Sequence, residues 1–124
     1  MPGQKFLKFW FPVLLYSGII FYVSSLPDLK PPTEGPLSDK IWHIFEYLPY
    51  GFLMARALDR SLSRSVSVGP LALVLACLYA ASDEIHQLFV PGRFGSVLDF
   101  AADFIGSGLG IIVFLSLKKK GSKV

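Results

Sequence analysis

Residues 82–110 read SDEIHQLFVPGRFGSVLDFAADFIGSGLG, and this stretch decides the fold. A short turn, VPGRFGS at 90–96, separates two apolar runs, one reaching back to about Leu71 and one reaching on to about Leu117. Pro91 and Gly92 punctuate the break, and the runs on either side are apolar on every face, as membrane-embedded helices are. Asp83, Glu84, His86 and Gln87 interrupt the first run, and Asp99 and Asp103 interrupt the second. An ionised side chain costs roughly 2.5–3.5 kcal/mol at the centre of a spanning helix, so such residues face other helices or a wet cavity. The stretch therefore predicts two membrane helices that share a polar interior, and it marks that interior as the place to look for function.

The rest of the chain has the same character. It holds 124 residues, 52% of them hydrophobic and 17% charged, which sets it apart from ordinary soluble domains. A single domain spanning 1–124 is expected at this length. The lone Cys77 excludes an internal disulfide and sits in LALVLACLYA as apolar filler. No nucleic-acid motif and no phosphate-cradling glycine loop is present, so nucleic acid is not expected as a partner.

Working outward, residues 6–25, FLKFWFPVLLYSGIIFYVSS, have the length of a spanning helix. Trp10 and Tyr22 fit its two interfaces, and Pro12 falls in the first two turns, where proline is least damaging. A cleaved leader, cut near Val23-Ser24-Ser25, fits less well because the apolar run is long for one. Residues 26–38 form a loop dense in proline. Ser38 is the expected N-cap of a helix over about 39–58, with Asp39 in its first turn. Along it Asp39, His43, Glu46, Tyr47 and Tyr50 share one face, and Pro49 with Gly51 predicts a kink. A basic loop carrying Arg56, Arg60 and Arg64 follows. A third helix is predicted over about 68–90 and a fourth over about 97–117, the latter opened by the capping box Ser96-Val97-Leu98-Asp99. The expected fold is all-α, a polytopic membrane protein of four spans.

Charge sets the orientation. Lys5, Lys8, Arg56, Arg60, Arg64, Lys118, Lys119, Lys120 and Lys123 fall on one side of such a four-span chain, against Lys30, Lys40 and Arg93 on the other. The positive-inside rule then places both termini in the cytoplasm and accounts for the net charge of +3.

This orientation gathers the start of the second helix, the end of the third and the start of the fourth at the extracytoplasmic face. Glu46, Glu84 and Asp103 are then expected at a similar depth, roughly 9–12 Å below their helix ends at about 1.5 Å per residue. His43, Gln87 and Asp99 are expected about one turn nearer the surface. Three ionised acids need a cation or a proton among them, supplied by Arg93, Lys40, a protonated His43 or His86, or a metal. This is the logic of an acid–base site, a metal site or a proton relay. The motif does not choose among them, and the metal reading is the weak one on sequence, because DEIHQ has no familiar zinc spacing. Glu84, His43 and Arg93 are the candidate catalytic residues. Asp39, Glu46, Tyr47, Asp83, Gln87, Asp99 and Asp103 are the candidates for a substrate-binding or polar cluster, and Glu84 is expected to work with Arg93.

Each has a plainer alternative. Asp99 serves as the acid of its capping box, Asp39 as a first-turn acid, and His43 with Tyr47 as a polar pair between helices. Asp99, Asp103, Gly106 and Gly110 share a face, and Gly106-x-x-x-Gly110 is a close-packing pattern, so the fourth helix turns this stripe to its neighbours.

Three separated motifs carry a resemblance: Asp39-Lys40-x-x-His43-x-x-x-Tyr47, Asp83-Glu84-x-x-Gln87-x-x-x-Pro91-Gly92-Arg93, and Asp99-x-x-x-Asp103-x-x-Gly106. Across about residues 20–115 the chain resembles the VanZ-like family of small bacterial integral membrane proteins, in which the position of Asp103 commonly holds Asn. The resemblance implies a multi-pass protein of the bacterial cytoplasmic (inner) membrane, and a link to resistance against glycopeptides of the teicoplanin type. It implies no particular cofactor. The leading functional expectation is action at the extracytoplasmic face on the display of cell-envelope lipid or a lipid-linked cell-wall precursor, with membrane lipids as partners. A membrane-embedded enzyme modifying a lipid headgroup is the alternative, with Glu84 as base or metal ligand, His43 as proton shuttle and Arg93 on a phosphate. A small proton-coupled transporter is the third, and it requires a homo-oligomer because four helices are few for a path.

Overall fold

The computed structural model describes residues 2–27, 35 and 37–121. Most of the proline-dense loop, with Lys30, and the tail that carries Lys123 lie outside the described residues. The fold is all-α, with four helices: α1 (Pro2–Ser24), α2 (Ser38–Ser61), α3 (Val68–Gln87) and α4 (Val97–Lys119). Three of them, α1, α3 and α4, are long and apolar enough to cross a membrane. The chain is a membrane protein. The fourth, α2, is as long but carries the polar face read from the sequence.

Several boundaries differ from the sequence reading. Helix α1 begins at Pro2, so Pro12 lies in its interior instead of its first two turns. Ser38 is the first residue of α2 and not its cap; Leu37 holds the cap position and makes no side-chain hydrogen bond there. Helix α2 passes Pro49 and Gly51 as unbroken helix and runs on to Ser61. Helix α3 stops at Gln87, three residues early, and 88–92 form turns in which Gly92 takes a left-handed φ of 75°. Only glycine enters that region without penalty.

Helix α2 is the hub, packed against α1, α3 and α4. Its tightest seam is with α4, and glycine makes it. A Cβ at Gly106 would strike the carbonyl of Ile44, and four residues further along both helices a Cβ at Gly110 would strike the carbonyl of Leu48. On the other helix, a Cβ at Gly51 would strike the backbone of Ser107. The two backbones touch with no side chain between them, as the Gly106-x-x-x-Gly110 pattern predicts. On α3, Ala72, Ala76 and Ala80 recur every four residues and are all buried, giving that helix a narrow, smooth contact face. Helix α1 is held more loosely, with Val13, Ile20 and Ser24 as its buried residues. Tyr16 donates to the Glu46 carbonyl at 2.6 Å and Tyr79 to the Ser17 carbonyl at 2.5 Å, fastening α1 to α2 and α3.

The two ends of the bundle differ in charge. At one end, Trp10 Nε1 donates to Ser61 Oγ at 2.7 Å, Lys118 pairs with Asp59, and the Arg56 guanidinium stacks 4.8 Å from the centre of the Phe9 ring. The start of α1 and the ends of α2 and α4 therefore meet at this basic end. Asp39, His43, Asp83, Glu84, Asp99 and Asp103 gather at the other.

Candidate functional site

The second end is built by three helix termini and one turn. Helix α4 opens on Ser96, whose hydroxyl accepts the backbone N–H groups of Leu98 at 3.2 Å and Asp99 at 3.4 Å. This is half of the capping box expected at Ser96-x-x-Asp99. The other half is made by a different residue. The Ser96 N–H donates to Glu84 Oε2 at 3.1 Å, so the acid at the end of α3 caps the start of α4. Asp99, released from that task, pairs with the Lys40 ammonium, which also contacts Asp39 Oδ2 at 3.1 Å.

One turn deeper, His43 Nδ1 stands 2.7 Å from Asp103 Oδ1. With its proton on Nδ1 the imidazole donates to the carboxylate, and a protonated ring makes the contact an ion pair. The opposite nitrogen, Nε2, faces Asp99 Oδ2 at 3.8 Å and Asp39 Oδ1 at 3.9 Å. Asp103 is fully buried, with 0% exposure. On the α3 side the Tyr47 hydroxyl donates to Asp83 Oδ2 at 3.1 Å, and the Gln87 amide approaches the same oxygen at 3.5 Å. His43 and Tyr47 thus bind separate acids and not each other.

A cavity of about 250 Å³ opens onto this arrangement. Asp39, Lys40, His43, Gln87, Arg93, Ser96 and Asp99 are among its lining residues, with Gly92 and Phe94. Arg93 does not pair with Glu84. Its Nη1 donates to the Leu26 carbonyl at 3.3 Å, so the guanidinium ties the α3–α4 turn to the end of α1 and borders the cavity from there.

The structure therefore brings together His43, Asp103, Glu84, Asp99, Asp39 and Lys40, sets Asp83, Tyr47 and Gln87 beside them, and keeps Glu46 within electrostatic reach of His43, Asp83 and Asp103 but outside their hydrogen bonds and ion pairs. Ile44 lies level with Gly106 and Leu48 with Gly110, so Glu46 lies more than a turn beyond Asp103, and His43 takes the place foreseen for it. Glu84 is also shallower than expected, because α3 ends at Gln87. His86 stands outside the group. Its Nε2 lies 2.9 Å from Ser25 Oγ and its ring stacks on Phe21 at 4.5 Å, in keeping with an interfacial role. The sequence reading missed Ser107, which is fully buried. Its spacing of four from Asp103 and eight from Asp99 would have placed it on the same stripe.

The model of the VanZ/LLP1 family matches residues 9–118. The chain belongs to the VanZ/LLP1 family. No curated protein and no solved structure matches it. The matched stretch of this VanZ/LLP1 protein takes in every residue of the cavity and of the His43–Asp103 contact.

The chemistry open to the VanZ/LLP1 site follows from its parts. Two cations, Lys40 and Arg93, border a small cavity whose floor is an imidazole oriented by a buried carboxylate. A carboxylate on one ring nitrogen fixes the tautomer and leaves the other nitrogen to exchange a proton. Lys40 and Arg93 are the groups that suit an anion, and Arg in particular suits a phosphate.

Proposed function

We propose that this VanZ/LLP1 protein crosses the bacterial cytoplasmic membrane four times, with both termini in the cytoplasm, and binds an anionic headgroup at its extracytoplasmic face. The headgroup belongs to a membrane lipid or to a lipid-linked cell-wall precursor. The observation that carries this reading is the cavity bordered by Lys40 and Arg93, on the end of the bundle opposite the basic one. Its volume of about 250 Å³ suits a phosphate-bearing headgroup and is too small for a whole lipid. Helix α2 crosses although it is polar, because its polar face lies against α3 and α4 and its remaining faces carry Ile41, Trp42 and Phe45 outward. Holding back or presenting a precursor at that face changes what a glycopeptide of the teicoplanin type meets, and this is how the family's link to resistance would arise here.

The test is mass spectrometry of lipids and lipid-linked precursors from four strains: deletion, wild type restored, and Lys40→Ala or Arg93→Ala restored at equal expression. The reading expects one phosphate-bearing species to change in abundance on deletion, with recovery by wild type and by neither variant. Unchanged profiles in all four strains, or full recovery by both variants, would overturn it.

A second reading is favoured by the oriented imidazole. His43, with Asp103 on Nδ1 and Nε2 toward the cavity, is arranged as a general base whose partner holds the ring in place. An enzyme acting on a lipid headgroup would use it to take a proton from the attacking group. The same spectra separate the two readings: an enzyme leaves a covalently altered species that disappears in a His43→Ala strain, whereas a binder alters abundance alone.

A further inference from the structure

The acids at the end of the bundle fall into two groups around His43, and they differ in how their charge is met. The outer group, Asp39, His43 and Asp99, already holds the Lys40 ammonium. The inner group is His43, Glu84 and Asp103, one from each of three helices, and a ligand atom of each lies within 4.8 Å of the others. No lysine or arginine forms an ion pair with Glu84 or Asp103 among the described residues.

The inner carboxylates are each half used. Asp103 gives Oδ1 to His43, and its Oδ2 is buried without a hydrogen-bond partner. Glu84 gives Oε2 to the Ser96 N–H, and its Oε1 is likewise buried without one. The residues are 0% and 8% exposed. Leaving a buried carboxylate oxygen unmatched is costly, more so than for a neutral acceptor. Two half-used carboxylates and one imidazole, with a ligand atom of each within 4.8 Å of the others, amount to a donor set, and a cation is the partner that meets their charge.

We propose that His43, Glu84 and Asp103 bind one Zn²⁺ ion. One imidazole nitrogen with two carboxylate oxygens suits zinc, and two carboxylate charges match the ion's charge. The contacts that remain around the ligands orient them: the Ser96 N–H on Glu84 Oε2 holds that carboxylate in place. The ion displaces the proton shared by His43 and Asp103, since zinc ligands bind deprotonated. No spacing in the sequence announces the site, because each ligand comes from a different helix. The inference stands apart from the headgroup reading, whose cations Lys40 and Arg93 lie outside the inner group, and it replaces the general-base role of His43, because His43 and Asp103 become ligands.

The experiment is zinc binding by the full chain, purified in detergent, stripped with chelator and dialysed against excess Zn²⁺. The wild type, Asp39→Asn and His86→Ala are expected to retain one equivalent. Glu84→Gln and Asp103→Asn are expected to bind at least about ten-fold more weakly, with elution on gel filtration checking that both remain folded. The zinc absorption edge of the loaded wild type needs no variant, and a nitrogen–oxygen shell with one imidazole and no sulfur is expected. A wild type that binds no zinc would overturn the proposal. So would Glu84→Gln and Asp103→Asn binding as the wild type does, loss of zinc in Asp39→Asn, or a shell without imidazole.

Discussion

His43 on α2 and Asp103 on α4 meet at 2.7 Å in the interior of the bundle, the carboxylate fully buried. Taking away one member of such a pair leaves the other without its partner, at a cost of roughly 3–5 kcal/mol. His43→Leu is therefore expected to destabilise the protein by about 3 kcal/mol, and His43→Leu with Asp103→Leu by less than the two single changes combined. Unfolding in mixed detergent micelles across the full double-mutant cycle measures the difference. Additive costs would show that the contact carries no coupling.

The glycine seam gives an internally controlled prediction. Gly110→Ala would drive a methyl group into the Leu48 carbonyl, whereas a Cβ at Gly108 meets nothing within 4 Å. Gly110→Ala is expected to cost about 2 kcal/mol or more through overpacking, while Gly108→Ala leaves stability unchanged or slightly raised. The same micelle unfolding assay compares the two variants. Equal effects would mean that α2 and α4 do not approach as closely as described.

Start-of-helix chemistry at α4 can be dissected in the same way. Ser96→Ala removes the acceptor for Leu98 and Asp99 and is expected to cost about 1 kcal/mol. Glu84→Ala removes the acceptor for the Ser96 N–H and should cost more than Glu84→Gln, which keeps an oxygen there. Protection of the Leu98 and Asp99 amides in hydrogen exchange reports the first change. Unaltered exchange in Ser96→Ala would contradict the cap.

Orientation is open to labelling. In a Cys77→Ser background, Phe94→Cys is expected to react with a membrane-impermeant maleimide in intact cells and Ser63→Cys only after lysis. Both positions are exposed and lie in opposite connections of the bundle. The reverse pattern would put the cavity on the cytoplasmic side and remove the basis for an extracytoplasmic role.

How far the sequence reached differs from element to element. The apolar runs of α1, α3 and α4 were legible because their length and uniform hydrophobicity answer to the bilayer alone. So was the contact stripe of α4, whose acids and glycines repeat at helical spacing on a single helix. What escaped was register between helices. That Glu84 and not Asp99 completes the cap at Ser96 depends on how the 88–95 turn sets the end of α3 against the start of α4. That His43 and not Glu46 meets Asp103 depends on how far α2 and α4 slide along each other. The glycine contacts at Ile44 and Leu48 set that offset, and nothing within one helix encodes it. The expected pairing of Glu84 with Arg93 is replaced for a related reason: the Arg93 guanidinium meets a backbone carbonyl of Leu26, distant in the chain and carrying no side-chain signature.

The seam between α2 and α4 also has a bearing on how the protein is made. Charged residues near the centre of a segment each oppose its insertion by a few kcal/mol, and α2 carries several along the face it turns to α3 and α4. The helix that offers its longest contact is the last of the four to leave the ribosome. A nascent chain that ends before Val97 would hold α2 with Lys40 and His43 exposed to lipid. On the four-span arrangement, α2 would then wait beside the translocon until α4 emerges and the pair enters the bilayer as a unit, which makes α4 the step that commits the four-helix bundle to the membrane.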